Sequence, residues 1–240
     1  MTPPAAQPQR RRIDLIDALR GLSVVLMVIH HFLYDLVVLA GAPLWLFTNP
    51  VLDVLHYIFA GLFVFLSGVS SRFSRSNIRR GLKVLAAALL ISLVTHLPFI
   101  NAPIVFGILH LLSFCMLFYG LTARLWNRIP RKIAPFLYIA LLVGSAIAVS
   151  YPLEGPGLWL FGWVQPGFYS ADYFPLFPWL FVFLLGTWAG AYVVEGRLPE
   201  RFYTWTVPFF PEVGRRSFLI YLLHQPVLYG LVSLGVYLFG

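Results

Sequence analysis

A single cysteine, Cys115, is all the sequence offers, and a lone thiol excludes an intrachain disulfide and most thiolate metal sites. Its neighbours are apolar, which makes it a poor candidate nucleophile. Charge is scarce too. Charged residues make up 11% of the chain, against about a quarter in a soluble domain. A water-facing surface of this size could not be solvated with so few, so lipid must be the solvent for much of it. No cleavable leader is visible either. The apolar run after Arg10-Arg11-Arg12 is too long and lacks a small-residue cleavage site, so it reads as a retained helix. The segment Met1 to Arg12 reads as a disordered basic cytoplasmic tail, and residues 13–240 as one membrane domain.

What is abundant is apolar length: the hydrophobic fraction is 60%. A helix needs about 20 apolar residues to cross the hydrocarbon core. Runs that meet this lie at roughly 15–39, 53–71, 82–99, 104–123, 133–151, 174–194 and 217–238. The expected fold is therefore all-α, a polytopic transmembrane helical bundle of about seven spans. Lys and Arg are missing from the first, third and fifth connections. Sixteen of the 17 basic residues lie before the first span or in and around the second, fourth and sixth connections, which are one side of the membrane if the spans alternate. The excess of basic residues marks the cytoplasmic face, so the N-terminus is expected inside and the C-terminus outside. The net charge of +8 is accounted for by these topology signals and by lipid headgroups, without nucleic acid. The long connection Pro152 to Tyr173, rich in Gly, Pro and aromatics, is expected to fold over the outer face.

The seventeenth basic residue, Arg20, lies inside the first span, where a cation needs a partner and marks a functional candidate. His31 follows 11 residues later, about 1100° around the helix, or about 20° past three turns, and about 16 Å along its axis. The two share a face, with Asp17 three residues before Arg20 and Asp35 four after His31. The second span brings Asp53 and His56 from its outer end, and the fourth brings His110. Asp172 precedes the sixth span. On the last, Ser217, Tyr221, His224 and Gln225 make one polar face. His30 points about 100° from His31, toward a neighbouring helix or lipid. A set of titratable groups is thus expected in the outer half with a cationic anchor nearer the cytoplasm. Imidazole serves as base or nucleophile near neutral pH, and a carboxylate can orient it. The bland reading makes Asp17–Arg20 a satisfied ion pair and His31 an interhelical hydrogen bonder. No histidine pair sits at i and i+4 on one helix, so no metal is expected.

The R-x10-H spacing of Arg20 and His31 resembles that of the transmembrane acyltransferase superfamily. More closely, the chain resembles bacterial membrane proteins related to the catalytic domain of heparan-alpha-glucosaminide N-acetyltransferase. The matching segments run in order from Ile13-Asp14-Leu15-Ile16-Asp17-Ala18-Leu19-Arg20-Gly21 through Phe65-Leu66-Ser67-Gly68, Phe106-Gly107-Ile108-Leu109-His110 and Phe177-Pro178-Trp179. They end with Gly214-Arg215-Arg216-Ser217 and Ile220-Tyr221-Leu222-Leu223-His224-Gln225-Pro226. The stretch Ala40 to Pro50, after the first span, has no histidine, whereas animal lysosomal relatives carry their catalytic histidine there.

The resemblance implies an enzyme of the bacterial cytoplasmic membrane. It would move an acyl group, in the first instance acetyl, from cytoplasmic acyl-CoA to an outward-facing amino sugar or other glycan. In that reading His31, Asp35, Asp53, His56 and His110 form the catalytic set. Arg20, Asp17, His224, Gln225 and Tyr221 receive the acyl-CoA. His31 would deprotonate the acceptor or carry the acyl group transiently, and Asp35 or Asp53 would orient it. His110, His224 and Gln225 would donate to the developing oxyanion. The expected partners are the lipid bilayer and a small acceptor, and a homo-oligomer is compatible with the sequence. The alternative is a proton-coupled transporter or non-catalytic membrane subunit, built on the same Asp and His residues.

Overall fold

The computed structural model describes residues 12–97 and 102–239. Most of the expected basic tail, with Arg10 and Arg11, lies outside the described residues, as do 98–99 at the end of the third expected span. Nine α-helices are described: α1 (Asp14–Ala40), α2 (Pro50–Ser71), α3 (Asn77–Thr95), α4 (Ile108–Trp126), α5 (Ala134–Ser150), α6 (Leu176–Val194), α7 (Glu200–Thr204), α8 (Phe210–Arg215) and α9 (Ser217–Phe239). Short 3-10 turns sit at Leu44–Leu46 and Leu158–Leu160. The described residues hold no strand, only a parallel bridge between Phe106 and Tyr173.

Among the described residues five segments are long and apolar enough to cross a membrane: α1, Leu44–Ser71, α4, α6 and α9. The expectation was about seven. α5 is a shorter apolar helix of 17 residues. α3 carries Arg79, Arg80 and Lys83 in its first two turns. It starts at Asn77, five residues earlier than expected, because Ser76 accepts a hydrogen bond from Arg79 N at 3.2 Å and caps the helix. α4 starts at Ile108, four residues later than expected. Residues 103–107 instead pair with the long connection: Val105 N donates to Ser170 Oγ at 3.0 Å, and Phe174 N donates to Phe106 O at 2.8 Å.

Two compact units make up the chain. One comprises residues 1–59 and 198–240 and contains α1, the start of α2, and α7 to α9. In it, α1 packs along α8 and α9. The first contact is backbone on backbone: a Cβ built on Gly21 would lie 2.0 Å from Phe210 O, and one on Gly214 would lie 1.8 Å from Asp17 O. The absence of a side chain at both positions lets the helices close to this distance.

The other unit, residues 60–197, holds the rest of α2 and α3 to α6. There α3 packs on α4, and α5 and α4 on α6. Its core includes Val64, Leu111, Cys115, Phe183 and Leu184, each fully buried. A second glycine contact, Gly68 on α2 against Gly186 on α6, uses the same means of close approach.

Candidate functional site

The polar face of α1 survives in the structure as two stations. At the N-terminal station Arg20 Nη1 donates to Asp17 Oδ1 at 2.7 Å. The cation inside the span therefore has the partner that burial demands. Arg215 on α8 extends the cluster, reaching Asp14 Oδ1 at 2.9 Å, Glu212 Oε2 at 3.0 Å and Asp17 Oδ2 at 3.8 Å. Arg216 pairs with Glu212 at 2.8 Å.

The second station lies two to four turns further along α1. His31 Nδ1 donates to Met27 O at 3.0 Å. Because a carbonyl can only accept, this bond places the ring hydrogen on Nδ1 and leaves the Nε2 lone pair of the neutral ring available. His224 on α9 repeats the arrangement, its Nδ1 donating to Tyr221 O at 2.7 Å. The two rings meet edge to face with centroids 4.9 Å apart. One turn on from His31, Asp35 is only 2% exposed, and its Oδ1 accepts from Gln225 Nε2 at 2.9 Å. Asp35 was expected to orient His31. The structure assigns that bond to the Met27 carbonyl and gives Asp35 to Gln225. Tyr221 contributes its carbonyl and a ring 5.5 Å from that of His224.

Three buried atoms here have no hydrogen-bond partner among the described residues: Asp35 Oδ2, Gln225 Oε1 and His224 Nε2. All three are acceptors. A buried polar atom left unpaired costs about 1–3 kcal/mol, and such a group of acceptors is satisfied by a ligand that brings N–H or O–H donors.

Beyond His31 the imidazoles continue. His30 lies 5.9 Å from His31 and 4.5 Å from His56, centroid to centroid, and Phe47 closes on His30 at 4.8 Å. His56, His30, His31 and His224 thus form one row. His30 does face a neighbouring helix, as one of its two expected settings. Asp53 is exposed at the start of α2, and its carboxylate bonds no described residue. It does not orient His31.

His110 belongs to the other unit and has a different local role. Its Nδ1 accepts from Gly107 N at 3.3 Å, so the hydrogen is on Nε2, which lies 3.3 Å from Ser92 Oγ. Ser92 Oγ itself donates to Ile104 O at 2.6 Å. Both ring nitrogens are engaged at the N-terminus of α4, a structural placement rather than that of an open base. Asp172 works beside it, with Oδ2 accepting from Ile108 N at 3.0 Å as a cap on the same helix. Among the described residues no group of three His, Cys, Asp or Glu is arranged to hold a metal ion.

Sequence reasoning missed Met27, because a backbone carbonyl carries no residue signature. It also missed the row through His30, which depends on where α2 packs.

A group of buried, unbonded acceptors and an imidazole with its Nε2 unbonded, carried on apolar helices, mark a helical membrane protein with a candidate acid–base site. The comparison with families names it further. Residues 12–226 match the family described as "Heparan-alpha-glucosaminide N-acetyltransferase, catalytic", and the chain belongs to that family. It is accordingly an acetyltransferase-like membrane enzyme. Comparison with curated proteins and with solved structures returns no match.

Proposed function

We propose that this chain transfers an acetyl group from cytoplasmic acetyl-CoA to an amine of an outward-facing acceptor, with an amino sugar as the first candidate. The bilayer is its medium, and its place is a bacterial cytoplasmic membrane. In this reading α3 and α5 cross as well, which makes seven spans with the N-terminus inside and the C-terminus outside, and the distribution of basic residues supports that orientation.

The observation that carries the reading is the group of orphaned acceptors beside His31. An ammonium group has three N–H donors, and Asp35 Oδ2, Gln225 Oε1 and His224 Nε2 are three buried acceptors without a donor. The carboxylate favours the charged amine over a hydroxyl. His31 Nε2 then takes one proton, leaving a neutral amine nitrogen with a free electron pair. That nitrogen attacks the thioester carbonyl carbon, the C–N bond forms, and the tetrahedral oxyanion collapses with loss of the C–S bond. The thiolate leaves as thiol after taking a proton, and the amide nitrogen loses its remaining extra proton. The net yield is amide, thiol and one proton. With both Nδ1 hydrogens given to backbone carbonyls, His224 is a poor donor to the oxyanion in its neutral form and is better placed as an acceptor toward the amine. The acyl donor's phosphates would share the Arg20 guanidinium with Asp17.

The test is turnover by the purified protein in proteoliposomes with acetyl-CoA and glucosamine. Thiol release that depends on the amino sugar and yields its N-acetyl product supports the reading. Thiol release with hydroxyl acceptors alone would reject the amine. The row of four imidazoles favours one second reading, a proton-coupled transporter. Acceptor-driven proton flux with no thiol release would establish it instead.

A further inference from the structure

The unit formed by residues 60–197 contains a cavity of about 370 Å³ that the proposed reaction does not use. It lies where α2, α4 and α6 end and α5 begins, the same end of these helices to which the basic connections belong. Its polar wall is Arg72, Arg131 and Glu195, and its apolar wall includes Trp126, Tyr138 and Trp188.

The two arginines are not equivalent. Arg131 is fully engaged: it forms a two-pronged pair with Glu195, stands 5.8 Å from the centre of the Tyr192 ring, and its carbonyl accepts from Trp188 Nε1 at 3.0 Å. Glu195 also holds Arg197 at 2.8 Å. Among the described residues Arg72 is anchored by its Nε, which donates to Thr187 O at 2.8 Å, and by its position over the Tyr119 ring at 5.5 Å. Among the described residues it meets no carboxylate within ion-pair distance, and its two terminal nitrogens bond nothing. A guanidinium so fixed presents a planar fork of N–H donors, the geometry that matches a phosphate. The C-terminal ends of α2, α4 and α6 carry partial negative charge and the start of α5 partial positive charge, while Arg131 and Glu195 offset each other as a pair. The Arg72 charge is therefore what tips this cavity toward an anion.

We infer that the cavity binds the phosphodiester headgroup of an anionic phospholipid. Indole and phenol rings beside a cation suit the level of the bilayer where headgroup meets acyl chain. The volume falls at the small end of ligand pockets, about 300–1,000 Å³, which admits a headgroup and its glycerol but not a whole lipid. Anionic lipid is also what surrounds a basic cytoplasmic face. Inorganic phosphate and the phosphates of coenzyme A share the chemistry, and the test separates them.

The experiment is native mass spectrometry of the full chain in neutral detergent, titrated with phosphatidylglycerol or phosphatidylcholine. One phosphatidylglycerol should bind per chain in preference to phosphatidylcholine. Arg72→Gln should weaken it about tenfold to a hundredfold, the scale of a charge-assisted hydrogen bond. Ala191→Trp, which fills the cavity and leaves every charge in place, should weaken it similarly. Arg75→Gln, in the same connection but not on the wall, should bind within about twofold of wild type. Melting temperatures distinguish lost binding from lost folding. If Arg72→Gln and Ala191→Trp fold and bind like wild type, the site is not this cavity. Displacement of the lipid by stoichiometric coenzyme A, or by millimolar inorganic phosphate, would overturn the lipid assignment. The outcome is independent of whether the chain turns over acetyl-CoA.

Discussion

If the proposed reaction is right, replacing His31 with alanine should separate catalysis from folding. The imidazole has few structural ties among the described residues. Its Nδ1 bond goes to Met27 O one turn back, and its ring contacts are with His224 at 4.9 Å and His30 at 5.9 Å. Losing them should cost about 1–2 kcal/mol of stability. The helix is otherwise unharmed, since alanine is the best helix former. A general base contributes about 10²- to 10⁴-fold. At 1.36 kcal/mol per decade that is roughly 2.7–5.4 kcal/mol of barrier, well above the stability cost. The assay is amide formation from acetyl-CoA and an amino sugar in proteoliposomes, run beside thermal unfolding of the same preparation. His31→Ala should lose at least about a hundredfold in turnover with a small shift in melting temperature. His30→Ala, which keeps the Nε2 of His31 in place, should lose far less. If His31→Ala turns over within about threefold of wild type while His224→Ala is dead, the base stands on α9 and the reasoning from the α1 tautomer fails.

Other outcomes test other parts. Arg20→Lys keeps the charge but loses the planar fork, so coenzyme A affinity should fall; equal affinity in Arg20→Lys, Arg20→Ala and wild type removes Arg20 from the donor site. Gly214→Ala drives a Cβ to 1.8 Å from Asp17 O, so it should destabilise the fold by about 1–3 kcal/mol or more, read by thermal unfolding; a wild-type melting temperature would contradict the close packing of α1 on α8. Hydrogen bonding to Arg131 holds the Glu195 carboxyl below its ordinary value, so the pair's contribution is present above the unfolded carboxyl's value, about 4.3, and is lost as pH falls through the lower folded value. Trp188 fluorescence should follow that loss, and Glu195→Gln should abolish the transition. A cysteine at Gly157 should label from outside, and one at Asn77 only after permeabilisation; the reverse pattern rejects the orientation.

The long helices were legible because apolar length is written directly in the sequence, and the face shared by Arg20 and His31 because helical geometry is periodic. The start of α4 was not. Residues 104–107 are as apolar as the helix that follows, and it is their bonds to Ser92, Thr95, Ser170 and Phe174 that hold them extended. The bonds of His110, expected in the catalytic set, were not legible because its partners, Gly107 and Ser92, are a helix-capping position and a residue on α3, neither marked by a motif. The bond between Asp35 and Gln225 joins residues 190 apart in the chain, which residue spacing along one helix cannot reveal.

The packing of α1 has a mechanical consequence. The helix is held like a shaft in two bearings: glycine backbones clasp it at Asp17 and Gly21, and the Gln225 amide grips it at Asp35. The bearings are 14 residues, or about 21 Å, apart. His31 rides between them, near the second. Rotating α1 by the arc between neighbouring side chains, about 100°, would break the amide grip and grind the glycine contact against backbone oxygen. The direction in which the imidazole presents its lone pair is therefore set torsionally, from both ends. A methyl group added at Gly214 would turn the shaft, and with it the aim of an imidazole it never touches.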